Sequence, residues 1–335
     1  FLPFKLTKAQ QKVLQEIITD LKKDQPMNRL IQGEVGSGKT VVAAIISYLT
    51  YLNGLKTLFM APTEILAFQH FETLKNLLEP FAVAVGIYTG SKKNVRNSHV
   101  IIGTHALLSD KLLTDNVGLI IVDEQQRFGV GQRTLLRSKA KIPHFLTMTA
   151  TPIPRTIALT IYGDLDMSVI DEMPKGRQLV KTYVVPEKKR SDSYKFIAKK
   201  VTLGDQVYII APLIEPSETL ATVKAVKVEF ENLKKVFPDL KLDLLHGRMK
   251  GAEKAQVIEN FRSGQTHILV STSVVEVGMD NPNATIIVIE GAERFGLAQL
   301  YQFRGRVGRG ERQSFCFLLT ESTGKTVYKR LNSLL

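Results

Sequence analysis

The sequence predicts an α/β protein with two domains, each a mostly parallel β-sheet flanked by helices. Its 335 residues are enough for roughly two domains of about 150 residues, each able to bury its own core. In both halves, short apolar runs alternate with helical stretches, which is typical of a parallel sheet covered on both faces. The pattern restarts after about residue 178, just past a Pro- and Gly-containing charged segment, Asp171–Arg177. We therefore expect domains over residues 1–172 and 173–335, with this segment as the linker.

The individual elements follow in order from the same apolar patterns. In the first half, strands are expected over Asn28–Gln32, Thr57–Ala61, Val83–Tyr88, Val100–Ile102, Leu119–Val122 and Phe145–Met148, and helices over Thr40–Leu52 and Ile65–Leu78. In the second half, strands are expected over Val180–Val185, Gln206–Ala211, Lys241–Leu245, His267–Val270, Thr285–Ile289 and Ser314–Leu319, and helices over Lys224–Val236 and Ala252–Phe261. The basic triplet Lys188-Lys189-Arg190 is expected to form a solvated turn.

The charge of the chain is strongly positive. The formal net charge is +13 and the isoelectric point is about 9.6. Clustered Lys and Arg release counterions when they neutralise phosphates, so nucleic acid is one expected partner. A generally basic surface without a polyanionic partner is the alternative.

The cysteine count and the apolar runs bear on the compartment. The single cysteine, Cys316, lies in an apolar run and is expected to be a small core residue. It cannot form an internal disulfide, which suits a reducing compartment, and no Cys/His cluster predicts a zinc site. No apolar run approaches the ~20 residues of a membrane span, and Phe1–Lys5 lacks a signal-peptide pattern. We therefore expect a cytoplasmic protein that does not enter a membrane.

A phosphate-binding loop is the strongest motif. It fits the pattern G-x-x-x-x-G-K-[ST] at every position: Gly33-Glu34-Val35-Gly36-Ser37-Gly38-Lys39-Thr40. The loop follows an expected strand and opens an expected helix, so its backbone N–H groups can surround phosphate oxygens at a helix N-terminus. Lys39 is expected to reach the β- and γ-phosphates of a nucleotide, and the Thr40 hydroxyl to bind Mg²⁺.

Two adjacent carboxylates end another expected strand. Asp123 and Glu124 follow the apolar run Leu119–Val122. We assign Asp123 to the metal and Glu124 to the general base that activates water. Alone, an Asp-Glu pair at a strand end is usually a solvated turn, and the phosphate-binding loop upstream is what favours the catalytic interpretation.

An arginine-rich segment lies in the second half. The stretch Gln302–Gly310 contains Arg304, Arg306 and Arg309 among three glycines. Arg306 and Arg309 are three residues apart, so they would share a face of a helix and could act as arginine fingers at the γ-phosphate. A basic surface loop that contacts polyphosphate nonspecifically is the alternative.

Other segments complete a family pattern. They are Phe4–Gln10, Ala61–Ala67, Thr89-Gly90, Gly103–Leu108, Thr149–Pro152 and Ser271–Asp280. Together with the three motifs above, they resemble the superfamily-two helicases over nearly the whole chain. The resemblance implies two RecA-like domains of the P-loop NTPase fold, with ATP and Mg²⁺ as cofactors and the nucleotide in the cleft between the domains.

The resemblance also assigns roles to individual residues. It implies that Phe4 and Gln10 recognise adenine, that Gly278 and Asp280 contact the nucleotide, and that Gln302 joins the arginines in catalysis. The implied DNA contacts are Pro62, Thr63, Gly90, Thr104, His105, Arg155, Ser271 and Thr272. Hydroxyl groups at strand ends can bind phosphates without reading sequence, although the threonines could equally be ordinary caps. His70 and His246 are expected to be structural or solvent-facing.

Finer features narrow the resemblance. Arg127–Val130, Thr151–Thr156 and Arg294–Leu300 are similar to the branched-DNA translocases of the RecG family and to their Mfd relatives. Tyr162–Asp166 followed by Ile170–Pro174 favours the RecG family. That resemblance implies ATP-dependent translocation on double-stranded DNA at stalled forks and Holliday junctions. It also implies a wedge domain and C-terminal translocation elements in the full-length protein. Gln126 departs from the pattern, because RecG-like proteins usually carry His there.

Several alternatives remain at the level of sequence. Within enzymes, they are an Mfd-like translocase attached to RNA polymerase and an RNA-unwinding helicase. A P-loop kinase or GTPase would have no need of the distal arginine segment. A nucleic-acid scaffold without turnover would not need Lys39 and Glu124 together.

Overall fold

A computed structural model describes residues 2, 4–109, 112, 115–124, 143–150, 165–173, 178–212, 220–272, 281–308, 310 and 312–335, with the side chains of 220–225 left out. The chain forms two compact units, Phe1–Pro174 and Lys175–Leu335. Each unit has one β-sheet with helices packed against it, which confirms the predicted α/β class. No helix in the described ranges is both long enough and apolar enough to span a membrane.

The first unit is built on an eight-stranded sheet. Its strands are β1 (Asn28–Gly33), β2 (Lys56–Met60), β3 (Val85–Tyr88), β4 (Lys93–Asn94), β5 (Val100–Gly103), β6 (Val117–Asp123), β7 (His144–Thr149) and β8 (Asp166–Ile170). They are arranged in the order β4-β3-β5-β2-β6-β7-β1-β8. All neighbours are parallel except β3 and β4. The carboxyl ends of the parallel strands therefore meet at one edge of the sheet.

Three helices of the first unit pack near this sheet: α1 (Lys8–Leu21), α2 (Lys39–Leu52) and α3 (Glu64–Leu78). Helix α1 begins with a capping box, in which Thr7 and Gln10 bond each other's backbone N–H groups. Its buried apolar residues, Val13, Leu14 and Ile17, recur at the spacing of one helix face. The Thr63 hydroxyl accepts from the Leu66 N–H and caps the start of α3.

The edge strand β8 was not predicted from the sequence. Only Ser168 and Ile170 of its five residues are buried, so the apolar signal is weak. A polar contact joins it to the sheet and to α1. Arg29 on β1 is buried and donates to Ser168 Oγ at 2.7 Å and to Asp20 Oδ2 at 2.6 Å. A buried guanidinium is stable only with such partners.

The second unit has a six-stranded, fully parallel sheet. Its strands are β9 (Lys181–Pro186), β10 (Gln206–Ile210), β11 (Leu242–Leu245), β12 (Ile268–Ser271), β13 (Ala284–Ile289) and β14 (Phe315–Thr320), in the order β11-β12-β10-β13-β14-β9. Alternate residues enter two separate cores: Tyr208 and Ile210 lie in one, and Val207 and Ile209 in the other. A sheet covered on both faces explains why β10, β12 and β13, in its interior, are apolar at most positions.

The helices of the second unit are α4 (Arg190–Thr202), α5 (Leu220–Val236), α6 (Gly251–Arg262), α7 (Leu297–Arg304) and α8 (Lys325–Asn332). Cys316 is buried on β14, so its predicted core position is confirmed. The prediction of a solvated turn holds for Lys188 and Lys189, which are exposed in a 3₁₀ turn. It is wrong for Arg190, which begins α4 and pairs with the buried Glu290.

Candidate nucleotide-binding site

The phosphate-binding loop lies between β1, which ends at Gly33, and α2, which begins at Lys39. Gly36 and Gly38 have φ angles of 85° and 91°, a left-handed conformation that favours glycine. A Cβ atom on Gly38 would overlap the side-chain amide of Gln10. Two left-handed residues just before a helix point N–H groups toward one concave surface, which suits an anion.

Lys39 and Ser37 line this loop. Lys39 is buried, and its Nζ donates to the carbonyl oxygens of Gly33 at 2.6 Å and Glu34 at 3.0 Å. The Ser37 side chain is 1% exposed, and its Oγ has no hydrogen-bond partner among the described residues. A buried hydroxyl without a partner is costly unless a bound group completes it. The loop therefore offers a cation and a free hydroxyl donor, a set that fits a phosphate.

Gln10 connects helix α1 to the loop. Its Nε2 donates to the Ser37 carbonyl at 2.7 Å, and its Oε1 accepts from the Thr7 N–H at 2.9 Å. The side chain is 3% exposed, so both bonds are shielded from water. Phe4, the other implied adenine contact, is 48% exposed. The structure thus places Gln10 against the phosphate-binding loop and leaves the Phe4 ring on the surface.

Asp123 lies at the end of β6, two strands from β1 in the sheet. Its side chain is buried, and Oδ2 lies 2.8 Å from Nε2 of His70 on helix α3. The other oxygen, Oδ1, accepts from the Glu124 N–H at 3.1 Å. Because β1, β7 and β6 are parallel neighbours, the loop and this carboxylate share the carboxyl edge of the sheet. Open α/β sheets bind ligands at this edge.

The environment of Asp123 keeps it ionised. Burial alone would raise its pKa, but the hydrogen bond from His70, the positive charge of Lys39 and the Glu124 N–H together lower the pKa below its usual value. An ionised carboxylate is the form that binds Mg²⁺. Glu124 has a φ angle of 51°, an unusual value for a residue other than Gly, Asn or Asp. Such strained backbone is often found at functional sites.

His70 is the residue that sequence reasoning missed. It was expected to be structural or solvent-facing, but its ring also contacts the predicted metal ligand directly. The two residues are 53 positions apart, and no short motif connects them. The only local signal was its polarity on a mostly apolar helix face.

The predicted DNA contacts of the first unit that lie among the described residues are at the same edge, on the other side of β6. Pro62 and Thr63 follow β2, Thr104 and His105 follow β5, and Gly90 follows β3, and these three strands are neighbours. His105 and Gly90 are exposed, whereas Thr104 is buried. The structure therefore brings these five residues to one side of the edge.

Two of these segments are hydrogen-bonded to each other. Glu64, next to Thr63, accepts from the Ser91 N–H at 2.9 Å and from the Ser91 hydroxyl at 3.1 Å. The exposed side chains beyond Gly90 include the cations Lys92, Lys93 and Arg96. A turn with exposed cations beside backbone N–H groups is suited to phosphate contact.

Arg306 does not lie on a helix, so the prediction of a shared helical face with Arg309 is wrong. Helix α7 ends at Arg304, and Arg306 forms part of the following turn. The chain turns at Gly308, whose φ angle is 79°. Helix α7 itself already ends before this turn, and its C-cap residue Gly305 has a right-handed φ angle of −67°. Gln302 and Arg306 are both 7% exposed.

Ser271 ends β12 and Thr272 follows it, and both are fully buried. The Ser271 hydroxyl donates at 3.0 Å to the carbonyl oxygens of Leu245 and of Thr272. These positions put the two side chains inside the second unit, and their role in DNA binding stays a prediction.

Five other residues singled out from the sequence lie outside the described residues: Gln126, Arg155, Gly278, Asp280 and Arg309.

A charged cluster in the second unit also escaped prediction. Arg190 and Tyr194 on α4 both bond the buried Glu290, which follows β13, and the Tyr194 hydroxyl lies 2.7 Å from Glu290 Oε1. They line a cavity of about 450 Å³ together with Glu293 and Arg294. Burial raises the pKa of Glu290 even though Arg190 opposes that shift. Its residues lie far apart in the sequence, so no sequence pattern indicated this cluster.

Comparison with known families agrees with the two units. The family model described as DEAD/DEAH box helicase matches residues 7–160, and the model described as helicase conserved C-terminal domain matches residues 188–311. Solved structures of Dbp5 from Saccharomyces cerevisiae bound to RNA and ADP BeF3 share the fold, with 18% identity and a TM-score of 0.75 over 98% of this chain and 87% of that chain. The fold, the phosphate-binding loop and both family matches define the class: a pair of RecA-like helicase domains.

More similar relatives identify the family within that class. The chain is 49% identical to the ATP-dependent DNA helicase RecG of Synechocystis sp., over 98% of this chain and 41% of the relative. It is 45% identical to that of Escherichia coli strain K12, over 99% of this chain and 50% of the relative. A solved structure of RecG bound to a three-way DNA junction has a TM-score of 0.82 and 44% identity, covering 99% of this chain and 45% of that chain.

In sequence and in fold, the chain matches the RecG helicases over nearly its whole length. It spans between 41% and 50% of the length of the curated relatives it matches. These relatives favour the RecG interpretation over the Mfd alternative.

Proposed function

We propose that this chain is the motor of an ATP-dependent DNA helicase of the RecG type, which acts on branched DNA such as stalled forks and Holliday junctions. The observation that carries the proposal is the edge of the first sheet. There, the phosphate-binding loop with the buried Lys39 follows β1 and the ionised Asp123 ends β6, with only β7 between these two strands. The relatives named above are ATP-dependent DNA helicases, which supports the same activity here.

The first unit supplies most groups of the proposed ATP site. Backbone N–H groups of Gly36 and Gly38, the Lys39 ammonium and the Ser37 hydroxyl bind the phosphates. Thr40 and Asp123 hold Mg²⁺, which would neutralise phosphate charge that develops during hydrolysis. Glu124 orients and deprotonates the attacking water. Gln10 and Phe4 contact the adenine, and the bonds of Gln10 to Thr7 and Ser37 connect base recognition to the loop.

The second unit completes the chemistry in this proposal. Gln302, Arg306 and Arg309 stabilise charge on the γ-phosphate, and Gly278 and Asp280 contact the nucleotide. The sequence pattern supports these roles, which match those of the family. A guanidinium supplied by a separate domain makes hydrolysis depend on the conformation of the motor, and this dependence is how ATP hydrolysis drives movement.

DNA binds through its backbone in this proposal. Pro62, Thr63, Gly90, Thr104 and His105 share one side of the first sheet's edge, next to exposed cations. The remaining predicted contacts are Arg155, Ser271 and Thr272. Contacts of this kind position a motor on DNA without reading its sequence, and the net charge of +13 favours such binding. We expect the wedge domain and the C-terminal translocation elements of the family in the full-length protein.

Steady-state ATP hydrolysis with and without duplex DNA tests this proposal. We expect Mg²⁺-dependent hydrolysis that DNA stimulates and that Lys39→Ala and Glu124→Gln abolish. The Glu124→Gln variant should still bind ATP, because Gln preserves the size of the side chain and removes only the base. Unchanged hydrolysis in both variants would show that the turnover arises elsewhere and would overturn the proposed site.

A further inference from the structure

We propose that His70 is a positioning residue that fixes the Asp123 carboxylate for a divalent cation. The inference rests on the proposed function, because it assumes that Asp123 binds Mg²⁺ beside the nucleotide phosphates. None of the residue roles implied by the sequence motifs includes His70. The role follows from the contacts of its imidazole ring.

The imidazole is held between a helix and the sheet. His70 lies on α3, its side chain is 10% exposed, and its Nε2 lies 2.8 Å from Asp123 Oδ2. One face of the ring packs against Phe59 on β2, with ring centroids 4.6 Å apart and an angle of 43° between the planes. Phe59 is fully buried and pairs with Ile121 of β6, two residues before Asp123. The ring therefore cannot move independently of the strand that carries the carboxylate.

Both carboxylate oxygens of Asp123 are then constrained. Oδ2 accepts from the His70 Nε2–H, and Oδ1 accepts from the Glu124 N–H at 3.1 Å. Each carboxylate oxygen has two acceptor positions, and with one partner each among the described residues, each keeps one for a cation. A ligand whose rotation is already restricted loses less conformational freedom on binding a metal. This bond needs only a proton on Nε2, which both the neutral and the charged ring can provide.

A purely structural role makes a different prediction. If His70 only filled space beside Phe59, replacing it would lower stability without changing metal affinity. His144 provides a matched control on the same sheet. It is half-buried, its Nδ1 accepts from the Met27 N–H at 3.0 Å, and it pairs with Leu119 at the opposite end of β6 from Asp123.

The test is titration of a fluorescent ADP analogue against the 335-residue chain in EDTA and at increasing Mg²⁺ concentrations. His70→Phe keeps an aromatic ring and removes the donor, His70→Gln keeps a donor, and His144→Leu is the control. In wild type, Mg²⁺ should tighten ADP binding. Losing a bond to a metal ligand typically costs 10–100-fold in metal affinity, so His70→Phe should need about 10–100-fold more Mg²⁺ for the same effect.

The other variants sharpen this result. His70→Gln and His144→Leu should respond to Mg²⁺ as wild type does, and ADP affinity in EDTA should be similar in all four proteins. Thermal unfolding reports whether each variant is folded, and His70→Leu replaces His70→Phe if the larger ring prevents folding. An unchanged Mg²⁺ response in the folded donor-free variant would overturn the positioning role alone. Wild-type binding that ignores Mg²⁺ would instead contradict the proposed metal site, and the inference with it.

Discussion

Replacing Gly38 with alanine tests whether Gln10 and the phosphate-binding loop form one rigid unit. Gly38 has a φ angle of 91°, and left-handed backbone costs an alanine about 1–2 kcal/mol. A new Cβ would also overlap the Gln10 amide. Moving that amide breaks its bonds to Ser37 and Thr7, each of which contributes about 1 kcal/mol. The total loss of stability is therefore about 3–4 kcal/mol.

Gly54 provides the matched control, because it has a φ angle of 71° and its Cβ would meet no atom within 4 Å. Gly54→Ala should lose only the backbone contribution, about 1–2 kcal/mol. In a unit of this size, about 1 kcal/mol shifts Tm by roughly 2–4 °C. Thermal unfolding should therefore place Gly38→Ala roughly 6–16 °C below wild type and Gly54→Ala roughly 2–8 °C below.

A double-mutant cycle isolates the contact between the two residues. In a Gln10→Ala background the amide is absent, so Gly38→Ala should cost about as much as Gly54→Ala. The expected coupling between Gln10 and Gly38 is about 2 kcal/mol. Equal effects of Gly38→Ala with and without Gln10 would refute the proposed contact.

Three further predictions follow from the same structure. Lys39→Ala should abolish ATP hydrolysis and weaken binding of a fluorescent ATP analogue, and wild-type turnover in this variant would contradict the site. Arg306→Ala should leave ATP binding intact and lower kcat by about 10³–10⁵-fold with saturating DNA, the range measured for arginine fingers; an unchanged kcat would exclude that role. Burial raises the pKa of Asp20, but Arg29 and Lys23 outweigh burial and lower it. Asp20→Asn should therefore reduce stability at pH 7, and the difference should narrow as pH falls through and below about 4, the unfolded pKa, because protonation removes the same charge from wild type. A difference that is constant from pH 7 to 3 in urea unfolding would rule this out.

Strands with continuous apolar runs could be predicted well from the sequence, because a strand that is buried on both faces is apolar along most of its length. It missed β8, where only Ser168 and Ile170 are buried and the attachment depends on the buried Arg29. It also supposed a helical face at Arg306, although α7 ends at Arg304 and Arg306 lies in the turn that follows. Local patterns predict local structure, and these features depend on partners or on the exact position of a helix end.

The nucleotide site, too, could be predicted from the sequence only in part. The phosphate-binding loop is continuous in sequence, so its glycines and Lys39 could be identified from spacing alone. Asp123 could be assigned because it ends an apolar strand. Its contact with His70 joins a helix and a strand 53 residues apart, and only the folded chain brings them together. The cluster around Glu290 depends on a contact over 100 residues and could not be predicted for the same reason.

In the proposed function, DNA stimulates ATP hydrolysis by this chain, and branched DNA stimulates it most. The most direct measurement is the ATP hydrolysis rate with a three-way junction, a four-way junction, linear duplex DNA and RNA, each at equal nucleotide concentration and at two salt concentrations. We expect stronger stimulation by DNA than by RNA, greatest with the branched DNAs and weaker at higher salt, because phosphate contacts release counterions. Equal or greater stimulation by RNA, or a rate indifferent to every nucleic acid, would contradict the proposed function.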